Sequence, residues 1–321
     1  MSTRTRNNTT REVAEFLKTL DRVAITTHVG ADGDAIGASA ALVQLMRALG
    51  AAAIFCHAEE VPNYLWWLLA DEAFRELPPD HDLLVVDTSR SDRTGVPVPE
   101  SGARLNLDHH EDNPLYAEVN LVNPRAAASA EIVADLYAEL EVPLDKAAAE
   151  ALYAGIRTDT GDFRFRNISP RAHELVADLL RAGVVPAEVH ERINRRGSIQ
   201  QLNIVGVSLA NARRFGEALL SCVDNEDYAR TGASELDSKE SIDQLRSVAG
   251  VDVVAPLREV PEGTKGSLRS ETADVGEIAR LFGGGGHRLA AGYTRRVMRP
   301  HEAREELLDV LAGRMYLGGA R

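Results

Sequence analysis

Cysteine and long apolar runs are both scarce in this sequence. The two cysteines, Cys56 and Cys222, stand far apart without paired spacing, which argues against a disulfide framework and a structural zinc site and predicts two buried thiols. No run approaches the roughly 18 apolar residues that a membrane span needs, and the opening MSTRTRNNTTREV lacks the apolar stretch of a secretory signal. We therefore expect a cytoplasmic protein with no membrane partner.

Positive charge is also in deficit. Lysine and arginine number 36 against 49 aspartates and glutamates, which gives a net charge of −13. This balance disfavours a surface that coats nucleic acid, and the sequence shows no extended basic track of the kind that a processive enzyme on long single strands needs. Hydrophobic residues at 44% and charged residues at 26% are typical of a globular protein, and 321 residues suggest about two domains.

Short apolar runs alternate with helical patterns through the first half of the chain. Strands are predicted over residues 22–28, 52–57, 83–88 and 104–108, and GDAIGASAALVQLMRALG after the first of them has helical periodicity. Ser169 and Pro170 are typical of the N-cap and the first residue of a later helix. This alternation predicts an α/β domain with a doubly wound, mostly parallel sheet.

The second half follows a different pattern. Residues 186–215 are mostly helical and strongly charged, and isolated apolar runs and amphipathic helices come after them. We predict an α/β domain over 1–188, a helical linker over 189–214 and a smaller α+β domain over 215–321.

Aspartate and histidine crowd the C-terminal ends of the predicted strands, where open parallel sheets bind their ligands. The residues are His28, Asp32 and Asp34 after the first strand, Asp87 after the third, Asp108, His109 and His110 after the fourth, and Asp159 at a helix end. Each aspartate alone is typical of a turn or a cap. So many carboxylates would be costly to bury together without a cation, and the pattern therefore predicts a metal site.

The donor set indicates which ions suit this site. Carboxylates and imidazoles without a thiolate favour Mn²⁺ or Mg²⁺ over structural zinc. The chain offers more ligands than one ion needs, and two ions about 3.5–4 Å apart would activate water for attack at phosphorus. The predicted reaction is phosphoester hydrolysis.

The motifs HVGADGDAIGAS, VVDTS, LDHH and TDTGDF, in this order and spacing, resemble the four motifs of the DHH phosphoesterase superfamily. Downstream, KGSLRS and GGGGHRLAAG resemble the DHH-associated domain of one branch, so the likeness spans residues 28–292. The length resembles the branch that hydrolyses short oligoribonucleotides (nanoRNA) and dephosphorylates 3′-phosphoadenosine-5′-phosphate (pAp). The resemblance implies an Mn²⁺-dependent oligoribonuclease and pAp phosphatase that releases mononucleotides.

The resemblance also implies a role for each motif residue of the first domain. The implied metal set is His28 and Asp32 on one Mn²⁺, Asp34, His109 and Asp159 on the other, and Asp87 between them, with Mg²⁺ or Co²⁺ as replacements. His110 would face the substrate phosphate and Asp108 would orient its neighbours, so the expected catalytic residues are Asp87, His110 and Asp108.

In the second domain the resemblance implies a nucleotide-binding set. Its members are Arg269, Gly284, Gly285, Gly286 and His287, with His110 joining them from the first domain. Consecutive glycines let the backbone approach an anion, although a flexible loop would also use them. Lys265 either supports the same pocket or is a solvated loop lysine.

Several alternatives remain open at this point. Near relatives with the same layout act on cyclic di-AMP or linear pApA, and no single residue separates these substrates from short RNA. A catalytically silent nucleotide-binding regulator and a structural partner are rivals of other classes, which the intact ligand set disfavours; family II inorganic pyrophosphatases share only the first-domain motifs. Relatives are often homodimers, and the apolar helix faces near 128–152 suit either self-association or core packing.

Overall fold

In a computed structural model, which describes residues 6–69, 73–194 and 197–313, the chain forms two compact units, Met1–Arg196 and Gly197–Arg321. Helix α6 belongs to the first unit and α7 to the second. The predicted domain limits, 1–188, 189–214 and 215–321, stay a prediction. Across the described ranges no helix is long and apolar enough to cross a membrane.

Unit 1 contains a five-stranded parallel sheet in the order β2-β1-β3-β4-β5. Its strands are β1 (Arg22–Thr26), β2 (Ala52–Phe55), β3 (Asp82–Val86), β4 (Leu105–Asp108) and β5 (Val119–Val122). Its helices are α1 (Thr10–Leu17), α2 (Gly33–Ala48), α3 (Ser129–Glu139), α4 (Lys146–Asp159), α5 (Pro170–Arg181) and α6 (Pro186–Asn194). The predicted α/β class with a mostly parallel sheet is confirmed.

One face of this sheet carries the main core of unit 1. Val23, Ile25 and Leu84 pack there against α2, α3 and α4, because alternate residues of a strand point to the same face. The opposite face, with Ala24 and Leu83, lies under segments without helical structure. Every apolar side chain of α3 within residues 130–137 is buried in this core. Self-association through the helices near 128–152 stays a prediction.

Unit 2 contains a six-stranded mixed sheet in the order β10-β11-β9-β8-β7-β6, in which only β7 and β8 pair in parallel. Its strands are β6 (Arg213–Phe215), β7 (Ala218–Val223), β8 (Val253–Val260), β9 (Gly263–Arg269), β10 (Gly285–His287) and β11 (Ala290–Arg296). Its helices are α7 (Ile199–Ala210), α8 (Asn225–Thr231), α9 (Ser241–Leu245), α10 (Val275–Leu281) and α11 (Pro300–Gly313). The predicted smaller α+β unit is confirmed.

Three local predictions have mixed outcomes. Ser169 caps α5 through the amide of Ala172, with Pro170 as the first helical residue, as predicted. Cys56 is buried, whereas Cys222 is only partly buried, contrary to the expected pair of buried thiols. Lys265 lies within strand β9 and not in a loop.

Candidate active site

The strand order of unit 1 alone indicates where a ligand site lies. The chain leaves β1 toward β2 on one side of the sheet and later continues from β3 on the other side. In open α/β sheets a crevice forms beyond the carboxyl ends of the strands at such a switch point. His28 follows β1 and Asp87 follows β3, so both residues stand at the edge of that crevice.

The structure brings the six residues of the predicted metal set together, and we call them the carboxylate–histidine cluster. Three groups of ligand atoms each lie within 4.8 Å of one another: His28, Asp32 and Asp87; Asp34, His109 and Asp159; and Asp87, His109 and His110. Asp87 Oδ2 lies 3.5 Å from His28 Nε2, and Asp87 Oδ1 lies 3.5 Å from His109 Nε2. Asp87 therefore connects two ligand groups, which is the arrangement expected of a bridging carboxylate.

Asp87 is held in this position by its backbone and by a buried hydroxyl. Its φ is 54°, a left-handed conformation that is uncommon for a residue with a side chain and that clusters at functional sites. Its amide donates to the carbonyl of Leu107, and Ser129 Oγ donates to Asp87 Oδ1 over 2.9 Å. The residue is almost fully buried, and these hydrogen bonds fix its carboxylate in one orientation.

Asp34 is positioned by the first turn of α3. The amides of Ser129 and Ala130 donate to its two carboxylate oxygens over 2.6 and 2.9 Å, so the helix N-terminus partly offsets the buried negative charge. Gly155 of α4 lets this contact form, because a Cβ at that position would lie 2.7 Å from Asp34 Oδ1. The close packing of α2, α3 and α4 is therefore part of the site.

The two histidines of the cluster use one ring nitrogen for support. His28 Nδ1 lies 3.0 Å from the carbonyl of Val29, and His109 Nδ1 lies 3.3 Å from the carbonyl of Ala126. Such a contact selects the tautomer that leaves Nε2 as an acceptor, as metal-binding imidazoles require. In both histidines Nε2 is the nitrogen that faces Asp87.

Asp32 combines two functions that the sequence presented as alternatives. As the N-cap of α2, its Oδ1 accepts from the amides of Asp34 and Ala35. The same side chain also contributes a ligand atom to the group with His28 and Asp87.

His110 stands beside the cluster on a buried support. Asp108 is fully buried and accepts from His110 Nδ1 over 2.7 Å, from the amide of His109, and from Asn113 Nδ2 over 2.5 Å. The hydrogen bond that His110 donates to Asp108 raises the pKa of His110 to about 9. A protonated, partly exposed imidazolium next to the carboxylates is suited to donate to a phosphoryl oxygen.

The electrostatics of the cluster fit a divalent cation. Burial, followed by the charges of Asp87, Asp159 and Asp32, raises the pKa of Asp34 well above its usual range. Burial and the charges of Asp87 and Asp32 raise the pKa of Asp159 to about 6, although His109 opposes this shift. A bound cation would relieve the repulsion, and oxygen and nitrogen donors without a thiolate suit Mn²⁺, Mg²⁺ or Co²⁺. The site can therefore bind divalent metal ions.

Sequence reasoning missed the residues that support the ligands. Ser129 holds both Asp87 and Asp34, Asn113 holds Asp108, and Asn167 Nδ2 lies 3.3 Å from Asp159 Oδ2. Asn113 and Asn167 follow the LDHH and TDTGDF motifs within a few positions, which is the one signal that could have identified them. Ser129 has no such signal, because it lies 42 positions from Asp87.

In unit 2 the structure places Arg269 and His287 on one sheet face. Ala290 of β11 pairs with Arg269 on one side and with His287 on the other, and directly paired residues point to the same face. Arg269 is partly buried, with Nη1 donating to the carbonyl of Leu268, whereas His287 is exposed. The two side chains therefore flank the small residue Ala290.

Of the four glycines before His287, Gly285 and Gly286 lie in strand β10 and Gly284 directly precedes it, so they do not form a free loop. A Cβ at Gly284 would lie 2.2 Å from the carbonyl oxygen of Gly292, and one at Gly286, whose φ is 138°, would lie 2.6 Å from that of Ala290. Close pairing with β11 therefore explains Gly284 and Gly286. Gly285 has open space where its side chain would be, so it is the member of the trio with room for a ligand.

Comparison with known proteins agrees with this architecture. The family model of the DHH family, N-terminal domain, matches residues 22–156, and that of the DHHA1 domain matches residues 219–315. The chain is 36% identical over 316 residues to the bifunctional oligoribonuclease and PAP phosphatase NrnA of Thermus thermophilus, covering 96% of this chain and 95% of that protein. It is 25% identical to the NrnA protein of Bacillus subtilis, over 88% of this chain and 91% of the relative.

A solved structure shares the fold of the whole chain. The exopolyphosphatase-related protein of Bacteroides fragilis aligns with a TM-score of 0.84 at 21% identity, covering 96% of this chain and 97% of that one. The family matches, the 36% identity over nearly the full length and the intact motifs confirm the predicted membership. The chain belongs to the DHH family, with a DHHA1 domain in its second unit.

Proposed function

We propose that this protein is a metal-dependent phosphoric ester hydrolase that cleaves short oligoribonucleotides to mononucleotides and also dephosphorylates pAp. The observation that carries the proposal is the pair of ligand groups that meet at Asp87 beside the imidazole of His110. Two Mn²⁺ ions, replaceable by Mg²⁺ or Co²⁺, would be held by His28 and Asp32, by Asp34, His109 and Asp159, and by Asp87 between them. When bound, such ions polarise the attacking water and offset negative charge at phosphorus.

The chain's own residues then orient the substrate and keep the ligands in place. His110 donates to an oxygen of the phosphoryl group, and its proton is secured by the buried carboxylate of Asp108. Ser129 and the amides at the start of α3 keep Asp87 and Asp34 from rotating. In the reaction, the oxygen of water bonds to phosphorus, and the bond between phosphorus and the ribose oxygen of the leaving group breaks. That ribose oxygen takes up a proton that the water releases.

Short nucleotide substrates are supported from two directions. The relatives at 36% and 25% identity are named for oligoribonuclease and PAP phosphatase activities. Arg269 offers a planar fork of donors for a phosphate, His287 is exposed on the same sheet face, and Gly285 leaves backbone space beside them. We assign nucleotide binding to these three residues, with Gly284 and Gly286 shaping the strand that presents them.

A substrate panel tests this function. The purified protein would receive equal concentrations of a five-nucleotide RNA, pApA, pAp, cyclic di-AMP and a 30-nucleotide DNA, with Mn²⁺, Mg²⁺, Co²⁺ or EDTA, and products would be separated by chromatography. We expect the short RNA and pApA to disappear fastest, pAp to lose phosphate, and EDTA to stop all reactions. Preferred opening of cyclic di-AMP would indicate second-messenger turnover, and no hydrolysis at all would indicate a nucleotide-binding regulator.

A further inference from the structure

Lysine is rare in this protein, and two of its lysines lie near the same buried arginine. The chain has four lysines among its 36 basic residues, two in each unit. Lys18 and Lys146 of unit 1 form ion pairs on the surface with glutamates of their own helices. Lys239 and Lys265 of unit 2, although 26 positions apart in sequence, both lie beside the buried guanidinium of Arg258.

Arg258 is an unusual buried charge. The residue is 3% exposed, and its Nη1 donates to the carbonyl of Glu235 and its Nη2 to Ser267 Oγ over 3.3 Å. Its Nε is buried without a hydrogen-bond partner in the described part of the chain. Glu235 attracts it from a distance, but no described carboxylate lies within 4.0 Å of this guanidinium. A buried cation with an unused donor is costly unless an anion completes it.

The sheet register places further cationic and polar groups around Arg258. Lys265 of β9 pairs directly with Arg258 of β8, so both side chains leave the same face. Ser267 and Arg269 follow on that face at alternate positions of β9. Lys239 enters from the turn before α9, and its pKa is lowered by partial burial and then by the positive charges of Arg258 and Lys265.

We call Lys239, Arg258 and Lys265 the cationic cluster. Bringing these three positive charges together is unfavourable unless an anion lies among them. Three like charges repel one another, and Glu235, the carboxylate that attracts both Arg258 and Lys239, forms no salt bridge within 4.0 Å with either of them in the described part of the chain. Phosphate is the anion that suits the site, because Lys provides point charges and Arg provides a directed donor, while Ser267 adds a hydroxyl.

We propose that Lys239, Arg258, Lys265 and Ser267 form a second phosphate subsite, which receives the backbone of an oligonucleotide beyond the nucleotide bound at Arg269. The proposal rests on the proposed function and extends it to substrate length. Arg269 lies four residue steps along β9 from Lys265, about 13 Å at a rise of about 3.4 Å per residue. Stacked nucleotides also rise about 3.4 Å each, so the side chains from Lys265 to Arg269 can contact a few nucleotides and no more. The subsite strengthens binding of tetra- and pentanucleotides and leaves pAp unaffected.

Kinetics on substrates of different length test the subsite. In the variant carrying Lys239→Ala and Lys265→Ala, we expect kcat/KM for a five-nucleotide RNA to fall about tenfold, as for the loss of a charged hydrogen bond. The value for pAp should stay within about twofold, because pAp does not reach the cluster. Both lysines are exposed, so the fold should survive, and Lys146→Ala is the matched control. Equal losses on both substrates, or no loss on either, would overturn the proposal.

A footprint of the four lysines tests binding without relying on hydrolysis. The full chain with Asp87→Asn and Mn²⁺ would be acetylated with and without a five-nucleotide RNA, and each lysine would be quantified by mass spectrometry. We expect Lys239 and Lys265 to be protected at least threefold, while Lys18 and Lys146 serve as internal references. Unprotected lysines in an enzyme that hydrolyses short RNA would refute the subsite alone. Protected lysines in a wild-type protein that hydrolyses nothing would refute the proposed function alone.

Discussion

The two units carry clusters of opposite charge, and the fold holds the side chains of these clusters in different ways. In unit 1 backbone amides hold the carboxylates of Asp32 and Asp34, and the buried hydroxyl of Ser129 holds that of Asp87, so these three side chains have a defined orientation. In unit 2 the cationic cluster has a single buried member, Arg258, and its two lysines are exposed. A rigid set of ligands suits an ion that needs fixed geometry, whereas exposed lysines with flexible side chains suit a flexible chain of phosphates.

This contrast also explains how a chain with a net charge of −13 can bind polyanions. Four aspartates of unit 1, Asp32, Asp34, Asp87 and Asp159, contribute ligand atoms to the carboxylate–histidine cluster, and bound cations would cancel their charge locally. Unit 2 contains 16 of the 36 lysines and arginines, and its sheet places Arg258, Lys265 and Arg269 on one face. If this division is correct, changes in unit 1 should alter turnover and metal affinity, and changes in unit 2 should alter substrate affinity.

The strongest test of the division is Asp87→Asn. Asparagine tolerates the left-handed backbone of this position but removes the charge that connects the two ligand groups. We expect kcat for short RNA to fall by more than about 100-fold, the upper range for residues that only support a metal ligand. Fluorescence anisotropy should show RNA affinity largely retained. Asp92→Asn, at an exposed aspartate paired with Arg90, is the control, and similar kcat values for the two variants would contradict the assignment.

Ser129→Ala should have the next largest effect. The change removes the 2.9 Å hydrogen bond to Asp87 Oδ1 and keeps the backbone amides that hold Asp34. We expect the Mn²⁺ concentration for half-maximal activity to rise roughly 10- to 100-fold. Ser39→Ala offers a matched control, because Ser39 is also fully buried but its hydroxyl makes no hydrogen bond to the described residues. Equal metal requirements in the two variants would mean that Ser129 does not position the site.

Arg269→Ala examines the other side of the comparison. Removing this guanidinium should raise KM for short RNA about tenfold, the size of a lost charged hydrogen bond, with kcat within about twofold. Arg230→Ala, at an exposed arginine of the same unit that pairs with Asp227, should leave both constants unchanged. A fall in kcat with constant KM would place Arg269 in the chemical step and erase the contrast between the units.

The sequence was sufficient for the parts of this site that are local. Apolar runs located four strands of unit 1 to within two residues at their ends but missed β5. The tendency of parallel sheets to bind ligands at the strand ends turned scattered aspartates and histidines into one hypothesis. The structure brings those residues together as three overlapping groups. The caps at Asp32 and Ser169 were equally local, since each accepts from amides two or three positions ahead.

The remainder depends on contacts between distant segments. Gly155 matters because α4 approaches Asp34, and the cationic cluster exists because β8, β9 and a turn converge. The hairpin of β10 and β11 was missed because glycine is depleted in strands, and close backbone contacts with β11 explain Gly284 and Gly286. None of these contacts between distant segments produces a periodic signal in the sequence.

The smallest expected effect concerns the stability of the metal-free protein, which tests whether the charges of the carboxylate–histidine cluster destabilise the fold. Because the pKa of Asp159 is raised from 3.8 to about 6, its ionisation disfavours the folded state, and metal-free protein should lose stability as the pH rises through this interval. Asp159→Asn removes that loss while its side-chain oxygen can still accept from Asn167. In EDTA at pH 7 we expect Tm to rise roughly 2–4 °C, and Mn²⁺ to stabilise the variant less than the wild type. Asp21→Asn, at an exposed aspartate, should leave Tm unchanged, and a lower Tm for Asp159→Asn would show that the cluster is not strained without its ions.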